Sequence, residues 1–141
     1  MSAVELTPEI VAGVYQKTAR NLEVVRARLN RPLTLAQKVL LGHLDDPAGA
    51  ELIPGTSYLM LNPDRVILQD VLGQTVMLNF MQTKRATTAV PTSVHTDHLI
   101  QARVEGAADL KESLQENDEV YNFLRTASAK YGVGFWGPGA G

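Results

Sequence analysis

Segments with helical spacing alternate with short β-branched runs along this chain, which restricts it to folds in which helices pack against a sheet. Thr7-Pro8 suits a helix start, with Thr7 as cap and Pro8 at the first helical position. Apolar residues then recur at Ile10, Val11, Val14, Leu22, Val25 and Leu29, and Asn30-Arg31-Pro32 should end that helix. Thr34-x-x-Gln37 is a capping-box pattern ahead of a second, short helix closed by His43-Leu44-Asp45-Asp46-Pro47. Ser57–Leu61 reads as a strand, and Val66–Phe80, apolar almost throughout, as a buried helix that contains an awkward Gly73. Thr87–Pro91 reads as a second strand. Ala107–Tyr131 is helical in pattern, and Gly132 fits its C-terminal cap. The expectation is an α/β, three-layer sheet-and-helix domain.

At 141 residues the chain is at most one ordinary domain, able to bury roughly two-thirds of its unfolded surface. Apolar residues make up 45% and charged residues 20%, proportions of a globular rather than a disordered chain. Basic residues number 13 and acidic 15, so there is no electrostatic footprint for nucleic acid or an anionic membrane. Lys17, Arg20, Arg26, Arg28, Arg31 and Lys38 form a local basic bias without interleaved aromatics, expected to be a solvated helix surface. With no cysteine, disulfides, a thiol nucleophile and a zinc–thiolate site built from this chain alone are excluded. No apolar run approaches the ~18 residues of a membrane span. Met1–Glu5 carries neither a signal-peptide nor a transit-peptide pattern, so the cytoplasm is the expected compartment.

Val90-Pro91-Thr92-Ser93-Val94-His95-Thr96-Asp97-His98-Leu99 concentrates titratable groups as no other stretch does. A carboxylate beside a histidine can fix its tautomer and raise its basicity, which suits proton transfer or metal ligation. The stretch partly resembles the H-x-H-x-D-H pattern of metallo-β-lactamase-like hydrolases, but Ser93 stands where the first histidine belongs. Gln69-Asp70, polar inside an apolar stretch, is either a satisfied core network or a polar site wall. His43, alone at a helix end, is accounted for by the helix dipole. Gly132-x-Gly134-x-x-Gly137 has the letters of a dinucleotide fingerprint without its context, since a helix precedes it and Phe135-Trp136 fill the variable positions. A glycine-rich turn carrying packed aromatics is expected there.

Several segments together resemble the aconitase family, particularly its mitochondrial-type aconitate hydratases. They are Asn30–Lys38, Gly42–Pro47, Pro63–Val66 running into Leu68-Gln69-Asp70, Val90–Ile100, and Glu119–Leu124 leading to Ala129–Trp136. Their order and spacing agree over residues 30–141, with a looser helical segment at 1–29. The resemblance implies a partial N-terminal α/β domain of a larger, four-domain hydro-lyase of the tricarboxylic acid cycle. That enzyme interconverts citrate and isocitrate through cis-aconitate. On this basis Gln69 would bind substrate, Asp97 and His98 would be the catalytic pair with the histidine delivering a proton to the departing hydroxyl, and His95 would be structural. The family's 4Fe–4S cluster, a Lewis acid held by three cysteines, has no ligand here, and no metal ligand is assigned. The substrate-binding arginines, the serine base and the His-Gln and Asp-Ser-His motifs that follow in the family are also missing from these residues. The expectation is therefore an N-terminal fragment, inactive alone, whose partners are tricarboxylates and the remaining aconitase domains, with no membrane or nucleic acid. It would be cytoplasmic, or in the mitochondrial matrix of a eukaryote. A stand-alone non-catalytic module and one half of a split enzyme are the alternatives.

Overall fold

The computed structural model describes residues 7–140, which divide into two compact units, residues 7–64 and 65–140. In the first unit, helix α1 spans Pro8–Leu29 and helix α2 spans Leu35–Gly42. The capping residues act as their types predict. Thr7 Oγ1 accepts the Ile10 amide, Asn30 ends α1 in the left-handed region, and Thr34 and Gln37 form both halves of the capping box on α2. Leu22 and Val25 of α1 meet Leu33, Leu41 and Leu44 in the unit's core, whereas Ile10 and Val11 remain exposed. Asn21 donates to the carbonyls of Gly42 and Leu44, and Arg28 donates to those of Pro47 and Ala50, each at 2.7 Å. Arg28 is thus a fastener of the loop after α2, unlike the solvated surface expected of the basic set.

Ser57–Leu61 is not a strand. Only Leu61 pairs, in an isolated antiparallel bridge to Leu44, flanked by bonds from the Asp45 amide to Met60 O and from the Asn62 amide to His43 O. Tyr58 and Met60 stay exposed, and Pro63 prevents the ladder from continuing.

His43 does more at the end of α2 than answer a dipole. Its Nδ1 lies 2.6 Å from Val39 O and its Nε2 lies 2.5 Å from Asp64 Oδ2. Two acceptors, one on each ring nitrogen, favour the imidazolium, the form with two N–H donors. Its pKa is raised above the ordinary 6.5, first by the Val39 carbonyl and then by the Asp64 hydrogen bond, with partial burial opposing.

The second unit is built on a parallel sheet of order β1-β2-β3, with β1 at Val66–Gln69, β2 at Thr92–His95 and β3 at Gly134–Trp136. Helix α3 (Asp70–Gln82) connects β1 to β2, and α4 (Gly106–Glu116) with α5 (Asp118–Tyr131) connects β2 to β3. Leu68, Val94 and Phe135 lie on one sheet face and pack with Met77 of α3 and with Leu124, Ala127 and Tyr131 of α5. The result is the expected α/β class.

Four expectations shift at this level. Val66–Phe80 is not one helix: its first four residues are strand, because the β-branched Val66 and Ile67 join β2, and only from Asp70 does the chain turn helical. Nor is that helix buried throughout, since Val71, Leu72 and Val76 are exposed. The strand expected at Thr87–Pro91 starts five residues later at Thr92, beyond Pro91, which has no amide for a ladder. The long helical stretch breaks at Asn117, whose side-chain amide bonds back to Ser113 O. The glycine-rich turn is β3 itself, added to the free edge of β2 after Gly132 closes α5 at φ 69°.

Gly73 has a positive reason to be glycine. A Cβ there would stand 3.3 Å from Val94 Cγ1 and 3.5 Å from Leu124 Cδ2, so α3 approaches both sheet and α5 through this gap. Replacing Gly73 with leucine should destabilise the second unit by about 1–3 kcal/mol through overpacking, read as a lower urea midpoint with unchanged slope. For His43 the sign runs with a raised pKa. Its stabilisation of the first unit is complete below about pH 6.5 and is lost as pH rises through the folded-state value. Histidine NMR titration should place His43 above 6.5, and Asp64→Asn should remove only part of the elevation because the Val39 carbonyl remains.

Candidate functional site

Parallel strands bring their carboxyl ends to one edge of the sheet, where α/β proteins place their ligand-binding residues. Here the pairing sets Gln69 opposite His95 and His95 opposite Trp136, so all three strands finish in register. From this edge α3 departs directly, with Gln69 as its N-cap and Asp70 as its first residue. Gln69 is exposed and its side chain does not cap the helix.

The loop after β2 carries the proposed acid. Thr96, buried, is held by both its amide and its hydroxyl to Trp136 O, at 3.1 and 2.9 Å. His98 donates its backbone amide to Asp70 Oδ2 at 3.1 Å. Further on, Leu99 O accepts Ser113 Oγ at 3.0 Å, and that hydroxyl sits 2.6 Å from the Tyr121 hydroxyl. The buried Asp109 carboxylate then accepts the amides of Arg103 and Val104. Buried polar groups demand such partners, and each pairing here fixes one point of the loop.

Of the residues singled out from sequence, Asp97 and His98 are adjacent in space as well as in the chain. Asp97 Oδ1 lies 3.4 Å from His98 Nδ1, with side chains 54% and 44% exposed respectively. Gln69 shares the sheet edge with them. His95 turns to other work: its Nε2 lies 3.0 Å from Ser93 Oγ, and its ring stacks on Trp136 at 5.6 Å and 10°. Arg65 also donates to Ser93 Oγ, so the serine hydroxyl links Arg65 to the His95 ring.

Sequence reasoning left Asp70 undecided between core network and site wall. It is 1% exposed, and its Oδ1 accepts the Val71 amide while Oδ2 faces His98. The signal available in the sequence was a carboxylate in an apolar run. Among the described residues, no three His, Asp or Glu side chains are grouped so that they could hold a metal ion, and the chain has no cysteine thiolates. The residues present therefore do not fit an iron–sulfur cluster as ligands.

Comparison with known proteins shows which sequences this chain is similar to. The family model described as the aconitase family (aconitate hydratase) matches residues 37–141. Mitochondrial aconitate hydratase of Arthroderma benhamiae is 54% identical over 127 residues, covering 90% of this chain and 16% of that protein. The Saccharomyces cerevisiae protein of the same name is 52% identical over the same extent, and that of Gracilaria gracilis is 48% identical over 143 residues, 18% of its length. The chain thus spans 16–18% of the length of these relatives.

Removing the Asp109 carboxylate should release the far end of the site loop. Asp109→Ala leaves the Val104 amide without its acceptor and the Arg103 amide with only Gln101 O, at a cost of about 1–3 kcal/mol. Hydrogen exchange should then accelerate at both amides, while those of β2 remain protected.

Proposed function

The chain belongs to the aconitase family, and we propose that it forms one wall of an aconitate hydratase active site, contributing Gln69, Asp97 and His98. The observation that carries this reading is the register that ends β1 and β2 together, with Gln69 and the His98 loop at one sheet edge. On it, the aconitase portion begins near residue 30 and is one part of a longer polypeptide whose remaining domains complete the site. The relatives from Arthroderma benhamiae and Saccharomyces cerevisiae are named as mitochondrial enzymes. This chain would work in that compartment in a eukaryote and in the cytoplasm otherwise. No helix among the described residues is long and apolar enough to cross a membrane.

The chemistry proposed is dehydration of a tricarboxylate and rehydration of its product. The Gln69 amide can donate to a substrate carboxylate oxygen and orient the chain of the substrate. His98, protonated, gives its proton to the departing hydroxyl, so that the C–O bond breaks and water leaves. The carbon-bound proton goes to a base outside these 141 residues, and its electron pair becomes the new C=C bond. In the reverse direction the neutral His98 takes a proton from the entering water. A 4Fe–4S cluster, known for the family, would depend on thiolates that this chain does not supply.

The test is kinetic. In the longer polypeptide, His98→Gln should lower kcat by about 10²–10⁴-fold, and Gln69→Ala should lower kcat/KM by about 10–100-fold. The 141-residue chain incubated with iron, sulfide and citrate should form no cis-aconitate by ultraviolet absorbance. Formation of cis-aconitate by the chain alone would refute its dependence on further domains, and wild-type rates in His98→Gln would remove His98 from the reaction.

A further inference from the structure

A cavity of about 510 Å³ opens in the second unit beside Val66 and Thr92, the first residues of β1 and β2. Its floor is the core itself, Leu68 and Met77, and Val76 and Phe80 of α3 form a wall. The loop between α3 and β2 closes the remaining side and brings Arg85 and Thr88 to it. Concave, mostly apolar spaces of roughly 300–1,000 Å³ with a few polar groups are the usual form of a small-ligand site. The lining falls within residues 66–92, a stretch whose only acid is Asp70. Asp70 begins α3, about 18 Å along the helix from its end at Gln82. No carboxylate lines the cavity.

Arg85 gives this cavity its chemistry. Among the described residues its guanidinium has no hydrogen-bond or ion-pair partner, and the half-buried Thr88 hydroxyl has none either. A cation just beyond a helix end commonly serves the last carbonyls. Here that work is already done. Phe80 O accepts the Thr83 amide and hydroxyl at 3.0 and 2.7 Å, and Met81 O accepts the Lys84 amide at 3.2 Å. The first unit supplies a contrast. Its own apolar cavity, of about 260 Å³, is bordered by Arg31, but that guanidinium is committed to Pro32 O and Gln37 Oε1. A free guanidinium beside an apolar hollow suits a ligand with an aliphatic body and one carboxylate, which it can hold by two parallel N–H bonds.

We propose that this cavity binds an aliphatic monocarboxylate, its chain against Leu68, Met77 and Phe80, its carboxylate on Arg85, and Thr88 as a second donor. The site lies at the opposite end of β1 from Gln69, about 10 Å away along the strand. It therefore goes beyond the function proposed above and does not depend on it.

Methyl NMR of the 141-residue chain with decanoate tests the binding. Decanoate should give saturable shifts at the methyls of Val66, Leu68, Val76, Met77 and Val90, with contacts from its chain to the Phe80 ring. Octanoate should bind about 3- to 15-fold more weakly, since each buried CH₂ contributes up to about fourfold. Decyltrimethylammonium, with the same chain and the opposite charge, should bind about tenfold more weakly than decanoate. Arg85→Gln should weaken decanoate about 3- to 10-fold and leave decyltrimethylammonium no weaker. Val76 is 41% exposed, so the fold tolerates Val76→Glu. That variant should abolish decanoate binding and strengthen the cationic probe. No saturable shift, shifts centred instead on Leu40, Leu41 and Leu59 of the first unit, equal affinity for both head groups, or normal decanoate binding by Arg85→Gln would each overturn the proposal. The longer polypeptide should show the same Arg85-dependent affinity. Absence of decanoate binding there would assign the cavity to a contact with another part of that protein, and would likewise overturn the proposal.

Discussion

Pairing of β1 with β2 in parallel, from Val66 opposite Thr92 to Gln69 opposite His95, is the contact on which the candidate site depends. A side-chain period of two leaves little freedom in it. Slipping either strand by one residue would turn Leu68 or Val94 out of the core and send polar neighbours inward. Burial of those two residues against Met77 and Leu124 therefore sets more than stability. It also sets which residues occupy the carboxyl ends of the strands. Gly73 serves the same contact by letting α3 lie close to Val94, so that a helix starting without a loop after Gln69 can still pack on the sheet.

Local chemistry was legible in the sequence where one segment decides its own structure. Thr7-Pro8, the Thr34–Gln37 capping box and Gly132 each did what residue type and spacing predict, because a cap is settled within four or five residues. Strands were less legible. Thr87–Pro91 has the composition of a strand, but the ladder begins at Thr92 because pairing needs a partner and Pro91 has no amide to give. Ser57–Leu61 also had strand composition and found only a single bridge. Val66-Ile67-Leu68 read as helix because its apolar run continued into α3, and periodicity cannot separate a short buried strand from the helix that follows it. In each case the missing information lay elsewhere in the chain.

The candidate site divides in the same way. Asp97 and His98 are adjacent in sequence, so their pairing could be read directly. The ties that hold the loop could not. Thr96 is fixed by Trp136 O, 40 residues away, and His98 by Asp70, 28 residues away. His95 shows the converse. As a histidine one residue from the Asp-His pair it invited a role in the chemistry, yet alternation along β2 turns it toward Ser93 and Trp136, where its ring is stacked and its Nε2 is occupied. The Gly132–Gly137 letters supply the third strand, a placement that depended on β2 having a free edge.

Under the proposed reading, a wall that lends a proton donor and an amide to a larger site must hold its geometry without help from the groups it serves. The loop of residues 96–105 is built that way. Its amides and carbonyls bond to Trp136, Asp70, Ser113 and Asp109, all within the second unit. Three of these partners are buried polar side chains, costly to leave unpaired, so the loop and its supports stabilise each other. The exposed side chains of the site, Gln69, Asp97 and His98, thus stand on a scaffold whose own polar groups are satisfied. Their free donors and acceptors remain available to a substrate instead of being used to maintain the fold. Separating buried polar support from exposed polar side chains makes the geometry of the candidate site independent of anything that binds there.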